Sequence, residues 1–326
     1  MISNSDNSVI YTFASLIRRW EDLTDAHRDI RERAEKAVDE YVSLVKGRAQ
    51  EASPLIIAGG LGSGKTQLLY HLFKYSWKEK QLPALYVNLR TVIDKVREGM
   101  SIEGETRRLS PRELAHRLLE LTLKRLDLLK KHFNDNTFTL GDLWLPEIEG
   151  RPAKLPPSEL FKEVGINPSE AYALVDQALK RKWGIILLID EVEMAYKELS
   201  DLITGGFRDL MDIIGRGTAG IYTVMAVSYL SYYELFLTEF TGDIAYARRV
   251  ELVHIPPVDP DVLYERLKPL NIGDKSNTFW WFTRARLGWV KSLKDIISTG
   301  DRSIGDLLEL TKAPQLRTLI AENLPI

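Results

Sequence analysis

The chain has 326 residues, a net charge of −2 and no cysteine. This charge balance excludes a global basic field that would attract nucleic acid, although a local patch remains possible. The lack of cysteine excludes disulfides, thiolate metal sites and cysteine nucleophiles. Apolar residues make up 44% of the chain and charged residues 28%, as expected for an ordinary globular protein with one large or two medium domains.

Neither targeting nor membrane insertion is indicated by the sequence. The first residues, MISNSDNSVIYTF, do not contain a basic segment followed by an apolar one, as a secretory signal would. The longest clean apolar run, IILLI at residues 185–189, is far too short to cross a bilayer. We therefore expect a cytoplasmic protein.

Apolar periodicity predicts a first helix at residues 23–46, ended by Gly47. Its charges in RDIRERAEK alternate in sign, which favours a solvated face over a nucleic-acid-binding stripe. PLIIA predicts a buried strand, KTQLLYHLFKYSWKEK a helix, and ALYVNLR at residues 84–90 a second strand. A long helix then has Ser110 as its N-cap and Pro111 at its first position.

The second half continues the alternation of strands and helices. Residues 133–157 are rich in Pro, Gly, Asn and aromatics, which indicates an irregular insertion. A helix restarts at Pro168, and the nearly all-apolar strand GIILLID is typical of a parallel sheet covered by helices on both faces. After a further helix, GIYTVMAVS and RVELVHI predict the last two strands.

These elements predict an α/β fold: a three-layer core with a parallel sheet, followed by a small all-helical lid domain. The predicted boundaries are an N-terminal helical segment at residues 1–50 that packs on the core, the core at residues 51–258, and the lid at residues 259–326.

A glycine-rich loop lies between the first strand and its helix. The sequence AGGLGSGKT at residues 58–66 fits the phosphate-binding pattern Gly-x-x-x-x-Gly-Lys-Thr in its required strand–loop–helix context. Glycines let backbone N–H groups approach phosphate oxygens, Lys65 can reach the β- and γ-phosphates, and Thr66 can ligate Mg²⁺. A glycine turn that binds nothing is the alternative. The predicted nucleotide-binding residues of this loop are Gly59, Gly60, Gly62, Ser63, Gly64, Lys65, Thr66 and Gln67.

A pair of acids ends the buried strand IILLID. We expect Asp190 to hold the Mg²⁺ shell and Glu191 to orient and deprotonate the attacking water. A solvated turn is the alternative. Glu193, three residues after Asp190, is interpreted as a first-turn charge that complements a helix dipole.

With these motifs placed, the chain resembles the AAA+ ATPases. SPLIIAGGLGSGKTQLLYHL, ALYVNLR, IILLIDEVE, VMAVSYLSYYELF and RRVELVHIPPVDPDVLYERL occur in the order of that class. The similarity covers roughly residues 23–293 and is greatest with the origin-recognition and replication-initiator branch and related STAND-like ATPases. It implies a P-loop NTPase core that binds ATP and hydrolyses it with Mg²⁺.

The resemblance also implies an arginine finger and a sensor 1. Sensor 1 would be Ser228, or Tyr229 in a shifted alignment, at a position where the family more often has Asn. Arg248 and Arg249 precede the last strand, where the family places the arginine finger that completes a neighbouring subunit's site. Two solvent-facing arginines are the alternative.

In the lid, TRARLGWVKSL resembles the sensor-2 helix of the family. Lys291 lies nearest the expected arginine, with Arg284 and Arg286 as rivals. A lysine there would supply a point charge in place of a planar fork. The aromatic cluster NTFWWFTRARLGW could stack on bases, but a packed lid core is the commoner explanation.

The sequence departs from the family in two ways, which limit the family properties that can be expected of this chain. The sequence shows no winged-helix DNA-binding domain after the lid, and the insertion at residues 133–157 is not part of the usual core. Any DNA contact is therefore expected from the core or from a partner. The histidines show no metal-binding spacing, so the only metal expected is nucleotide-bound Mg²⁺.

The expected function is ATP hydrolysis in a DNA transaction, such as replication, transposition or mobile-element defence. The alternative is a STAND-like switch or scaffold that turns ATP over little and acts through a protein partner. We expect ATP and Mg²⁺ as cofactors, further copies of the chain as partners, a protein partner, possible DNA contact and no membrane. The guanine-reading pattern Asn-Lys-x-Asp is missing after the two motifs, which favours adenine.

Overall fold

The computed structural model of the chain describes residues 27–48, 52–60, 63–102, 110–135, 156–163, 165–181, 183–193, 220–228 and 250–256. The helices are α1 (Arg28–Val45), α2 (Lys65–Lys78), α3 (Leu89–Ile102), α4 (Pro111–Lys131), α5 (Pro157–Glu163) and α6 (Pro168–Arg181). The strands are β1 (Leu55–Gly59), β2 (Ala84–Asn88), β3 (Ile185–Asp190), β4 (Ile221–Ser228) and β5 (Glu251–Ile255).

The strands form one parallel sheet in the order β2-β3-β4-β1-β5. Every residue of β1 and β3 is buried. Successive side chains of a strand point to opposite faces, so both faces of the sheet are covered. The predicted α/β fold with a parallel sheet is therefore confirmed. The predicted lid, most of the insertion and the helix after β3 lie outside the described residues.

One predicted strand is too long, and the sequence analysis missed the helix that follows it. The strand expected at residues 84–90 ends at Asn88, and α3 begins at Leu89. The Thr91 N–H donates to Asn88 Oδ1 at 3.3 Å, so the Asn88 side chain satisfies one of the free amides of the first turn. Leu89, Val92 and Ile93 are buried, and these three- and four-residue steps are the helical signal.

The start of α4 agrees with its prediction. Ser110 accepts a hydrogen bond from the Glu113 N–H at 3.2 Å, and Glu113 Oε2 accepts one from the Ser110 N–H at 3.1 Å. This capping box, with Pro111 at the first helical position, satisfies amides that the helix cannot pair internally.

Side chains cover the outer edge of β2, the terminal strand next to β3. Trp77 Nε1 donates to the Ala84 carbonyl at 2.9 Å, and Arg125 Nη1 donates to the Tyr86 carbonyl at 3.1 Å. A sheet edge with unpaired carbonyls can pair with another chain, and these contacts remove two such acceptors.

Helix α1 packs against α2 and the other terminal strand, β5. Arg33 Nη2 donates to the Leu252 carbonyl of β5 at 3.0 Å, and Glu35 Oε1 lies 2.6 Å from His71 Nε2 of α2. The N-terminal helix is thus attached to the sheet and to the helix that follows the glycine loop. In the described part of the chain, no helix is both long and apolar enough to span a membrane.

A pair of stacked tyrosines gives a matched test of how α1 is held. Tyr41 and Tyr222 stack with ring centroids 4.8 Å apart, and both are buried. The Tyr41 hydroxyl donates to the Gly220 carbonyl at 2.7 Å, whereas the Tyr222 hydroxyl has no partner among the described residues.

We expect Tyr41→Phe to lower the free energy of unfolding by about 1 kcal/mol, because it removes a buried hydrogen bond. Tyr222→Phe should leave stability unchanged or raise it slightly, because it removes an unpaired buried hydroxyl. Chemical denaturation of both variants measures the difference, and equal losses would contradict the assignment of the hydrogen bond.

Candidate functional site

The glycine loop is a tight turn from the end of β1 into α2. The Ser63 N–H donates to the Gly60 carbonyl at 3.1 Å, and Gly64 caps α2 with a φ of 104°, in the left-handed region that favours glycine. A Cβ on Gly59 would displace the Ser63 hydroxyl from its present position. The loop therefore favours glycine at position 64 for its backbone angle, and glycine at position 59 leaves the space that the Ser63 hydroxyl occupies.

Lys65 lies over this loop. Its ammonium donates to the Gly59 carbonyl at 3.0 Å and to the Gly60 carbonyl at 3.1 Å. The charge is therefore held at the loop, beside the first amides of α2. A helix N-terminus and an ammonium together favour an anion.

The Asp190 carboxylate is buried at the end of β3 and receives three hydrogen bonds. Its Oδ2 accepts from Thr66 Oγ1 at 2.6 Å and from the Tyr86 hydroxyl at 3.0 Å. Its Oδ1 accepts from the Glu191 N–H at 2.9 Å. The side chain is thus held from α2, from β2 and from its own backbone, and its orientation is fixed.

Glu191 directly follows β3 with a φ of 54°, in the left-handed region. For a residue with a Cβ this conformation costs roughly 1–2 kcal/mol. Such strain is found at sites where the surrounding structure imposes it. Here the Asp190 carboxylate accepts the Glu191 N–H and the next amide, Val192 N–H, donates to the Ala226 carbonyl at 3.3 Å.

A further acid, Glu193, reaches the end of the neighbouring strand. Its Oε2 accepts from the Ser228 N–H at 3.3 Å. Burial raises the pKa of Glu193, while the charge of Lys65 opposes the rise and that of Asp190 adds to it. The interpretation of Glu193 as a helix-dipole charge overlooked this contact, which turns the carboxylate toward β4 and the loop.

The strand order explains why these residues meet. Gly59 of β1 pairs with Ser228 of β4, and Asn88 of β2 pairs with Asp190 of β3. Because all the strands are parallel, their carboxyl ends share one edge of the sheet, where ligands bind in open α/β folds. The glycine loop and the acids lie on either side of the β4 terminus.

The residues present fit a phosphate group. Ser63 Oγ is buried without a partner among the described residues, next to the position that a Cβ of Gly59 would fill. Lys65 and the start of α2 supply positive charge beside it. Gln67 Oε1, one turn into α2, is also buried without a described partner.

The residues also fit Mg²⁺. Thr66 and Asp190 present oxygen atoms, and Mg²⁺ in phosphate sites takes one or two protein oxygens together with phosphate and water. Among the described residues, no group of three or more His, Asp or Glu side chains is arranged to hold a metal ion by itself.

Part of the predicted site is brought together and part is not described. The described loop residues lie at the carboxyl edge of the sheet, as do Thr66, Asp190, Glu191 and Ser228. Gly62, Tyr229, Arg248, Arg249, Lys291, Arg284 and Arg286 lie outside the described residues. The roles assigned to all of these residues remain predictions.

Sequence reasoning missed Tyr86 and the orientation of Glu193. Tyr86 has no motif of its own, and only the pairing of β2 with β3 brings it beside Asp190. The spacing of Glu193 after Asp190 was visible, but a position three residues beyond a strand end does not indicate which neighbour it contacts.

No protein-family model matches the chain, and no curated protein matches it. Among solved structures, the chain is similar to the Orc1 protein of Aeropyrum pernix in complex with DNA, at 17% sequence identity and a TM-score of 0.31. The similarity covers 73% of this chain and 48% of that one, so this chain spans about half of that protein's length. A likeness this distant supports no conclusion about activity.

The half-buried carboxyl of Glu193 gives a pH-dependent prediction. Since the pKa of Glu193 is raised in the folded chain, the ionised form destabilises the fold. The Glu193 carboxyl therefore lowers the stability of the wild type as the pH rises from about 4.3, the usual glutamate value, through the raised pKa.

Glu193→Gln should raise the melting temperature at pH 7, because the amide carries no charge and its oxygen can still accept from Ser228. The advantage over the wild type should shrink as the pH falls toward about 4. Thermal unfolding of both proteins between pH 4 and 8 measures this. A difference that is constant with pH would contradict it.

Proposed function

We propose that the chain binds ATP with Mg²⁺ and hydrolyses it, as a P-loop NTPase of the AAA+ type. One observation carries this proposal: Thr66 of the glycine loop donates to Asp190, the carboxylate that ends the buried strand β3, at 2.6 Å. The two motifs are far apart in sequence, and their meeting at the carboxyl edge of a parallel sheet supports a single nucleotide site.

Lys65 and the start of α2 would bind the phosphates. The ammonium would exchange the Gly59 and Gly60 carbonyls, which now accept its hydrogen bonds, for phosphate oxygens. Bound ATP supplies the phosphoanhydride that is cleaved, and Mg²⁺ supplies charge neutralisation on its oxygens. Thr66 and Asp190 are the residues that would hold the cation.

Glu191 would orient the attacking water and accept its proton. Its backbone is fixed next to Asp190 by the hydrogen bond from its own N–H at 2.9 Å. It is partly exposed, whereas Asp190 is buried. A neighbouring acid that water can reach fits the part of a general base. Ser228, whose amide lies 3.3 Å from Glu193 Oε2, would act beside it as sensor 1.

The finer assignments extend this proposal to residues that are not described. Arg248 or Arg249 would be the arginine finger that completes a neighbouring subunit's site. Lys291 would act as sensor 2 in a helical lid at residues 259–326. The chain would then self-associate through its ATP sites. These roles rest on the sequence resemblance.

For the cellular role we propose a DNA transaction, with DNA contact through the core or a partner. The alternative is a STAND-like switch that acts through a protein partner. The Asp190–Glu191 pair favours turnover and hence the first role, and the mildly acidic charge favours the second. Measuring turnover with and without duplex DNA separates them: DNA-stimulated hydrolysis supports the first role, and tight ATP binding with negligible turnover, indifferent to DNA, supports the second.

We expect Lys65→Ala to weaken ATP binding about tenfold or more and to abolish turnover. Hydrogen bonds to charged groups contribute about 1.5–3 kcal/mol, and the variant removes the only charge that this loop itself supplies. Binding of a fluorescent ATP analogue and phosphate release measure the two effects. Lys74→Ala, on the same helix, is the control and should retain both. Unchanged binding and turnover in Lys65→Ala would refute the proposed function.

We expect Glu191→Gln to bind ATP as the wild type does but to lower the hydrolysis rate by about 10²-fold or more, since general base catalysis contributes about 10²–10⁴-fold. Glutamine has the same size as glutamate and adopts the same left-handed backbone at this position, so the free energy of unfolding should change little. Single-turnover phosphate release measures the chemical step. A rate equal to that of the wild type would remove Glu191 from its proposed role.

A further inference from the structure

Tyr86 is the contact of Asp190 that no sequence motif indicates. Tyr86 pairs with Leu188 across β2 and β3, which places it two residues before the level of Asp190. A diagonal neighbour on the adjacent strand is within reach of a long aromatic side chain. The Tyr86 hydroxyl uses that reach to donate to Asp190 Oδ2 at 3.0 Å.

The Tyr86 hydroxyl is buried beside the carboxylate to which it donates. The residue is only 2% exposed, so water does not compete with Asp190 for this donor. A hydroxyl that donates to one oxygen of a carboxylate favours one orientation of that carboxylate.

The backbone of Tyr86 is held in place as well as its hydroxyl. Arg125 Nη1 of α4 donates to the Tyr86 carbonyl at 3.1 Å, at the outer edge of β2. The residue is thus held by the pairing with β3 on one side and by α4 on the other. A donor on such a fixed backbone sets the orientation of its acceptor. Residues that hydrogen-bond to metal ligands act on those ligands in this way.

We propose that Tyr86 is a positioning residue for the cation site: its hydroxyl holds the Asp190 carboxylate in the orientation that binds Mg²⁺ together with ATP. This inference rests on the proposed function, since it needs a nucleotide-bound cation at Thr66 and Asp190. Tyr86 would touch neither the nucleotide nor the cation. Its effect on the cation would pass through Asp190.

The test compares Tyr86→Phe with Tyr222→Phe in the full chain. Both variants remove one phenolic hydroxyl from a buried tyrosine of the same sheet, but the Tyr222 hydroxyl has no partner among the described residues. The measurements are the dissociation constant of a fluorescent ATP analogue in EDTA and across a MgCl₂ titration, together with thermal unfolding of each protein without nucleotide.

For Tyr86→Phe, affinity in EDTA should be unchanged, while the MgCl₂ concentration for the half-maximal effect on binding should rise about tenfold, as for lost outer partners of metal ligands. Tyr222→Phe should follow the wild type in both conditions. In the Asp190→Asn background, adding Tyr86→Phe should have no further effect on the MgCl₂ response, because the acceptor through which the hydroxyl acts has lost its charge.

A MgCl₂ response of Tyr86→Phe equal to that of the wild type would overturn the proposal, even if the variant melts at a lower temperature. A Tyr86→Phe chain that no longer folds would also overturn it, because the hydroxyl would then serve the fold and not the cation. Failure of the proposed function looks different: the wild type itself would show no ATP binding, or binding that Lys65→Ala leaves intact.

Discussion

The hydrogen bond from Thr66 to Asp190 is the contact on which the candidate site depends. It joins residues 124 positions apart in sequence, one at the start of α2 and the other at the end of β3. The bond is possible because β4 separates β1 from β3 by a single strand and all three are parallel. With strands about 4.8 Å apart, the loop and the acid face each other across the end of β4.

The site concentrates conformational strain and negative charge. Glu191 has a left-handed backbone, and the charge of the buried Asp190 carboxylate raises the pKa of the half-buried Glu193. Donors from several elements offset this cost: the Tyr86 hydroxyl, Thr66, and backbone amides. Functional sites commonly lower the stability of a fold in this way, and the rest of the sheet must supply the difference.

The body of the sheet provides that stability and also fixes the loop. β1 and β3 are buried throughout, and α2 packs across β1 to β4, so the residues at its start are held against the core. Helix α2 also contacts α1, where Glu35 lies 2.6 Å from His71. Lys65 and Thr66 therefore extend from a helix that both the sheet and α1 hold, which limits their movement relative to Asp190.

The sequence by itself predicted most of the described elements and the place of the candidate phosphate-binding loop. The all-apolar run before Asp190 indicates a strand covered on both faces, and the spacing from Gly59 to Thr66 predicts a phosphate-binding turn, because such patterns reflect neighbours along the chain. Even so, the end of the second strand was predicted two residues too far along. The apolar residue Leu89 follows Asn88 directly, but the Asn88 side chain caps a helix that begins at Leu89.

Only the tertiary structure decided which distant residues meet. The order of the strands places Tyr86 beside Asp190 and turns Glu193 toward Ser228, and neither contact follows from spacing. The physical reason is that periodicity describes which face of an element is apolar, whereas strand order depends on how all the apolar faces are buried together. That burial is a property of the whole chain and cannot be read from any one segment.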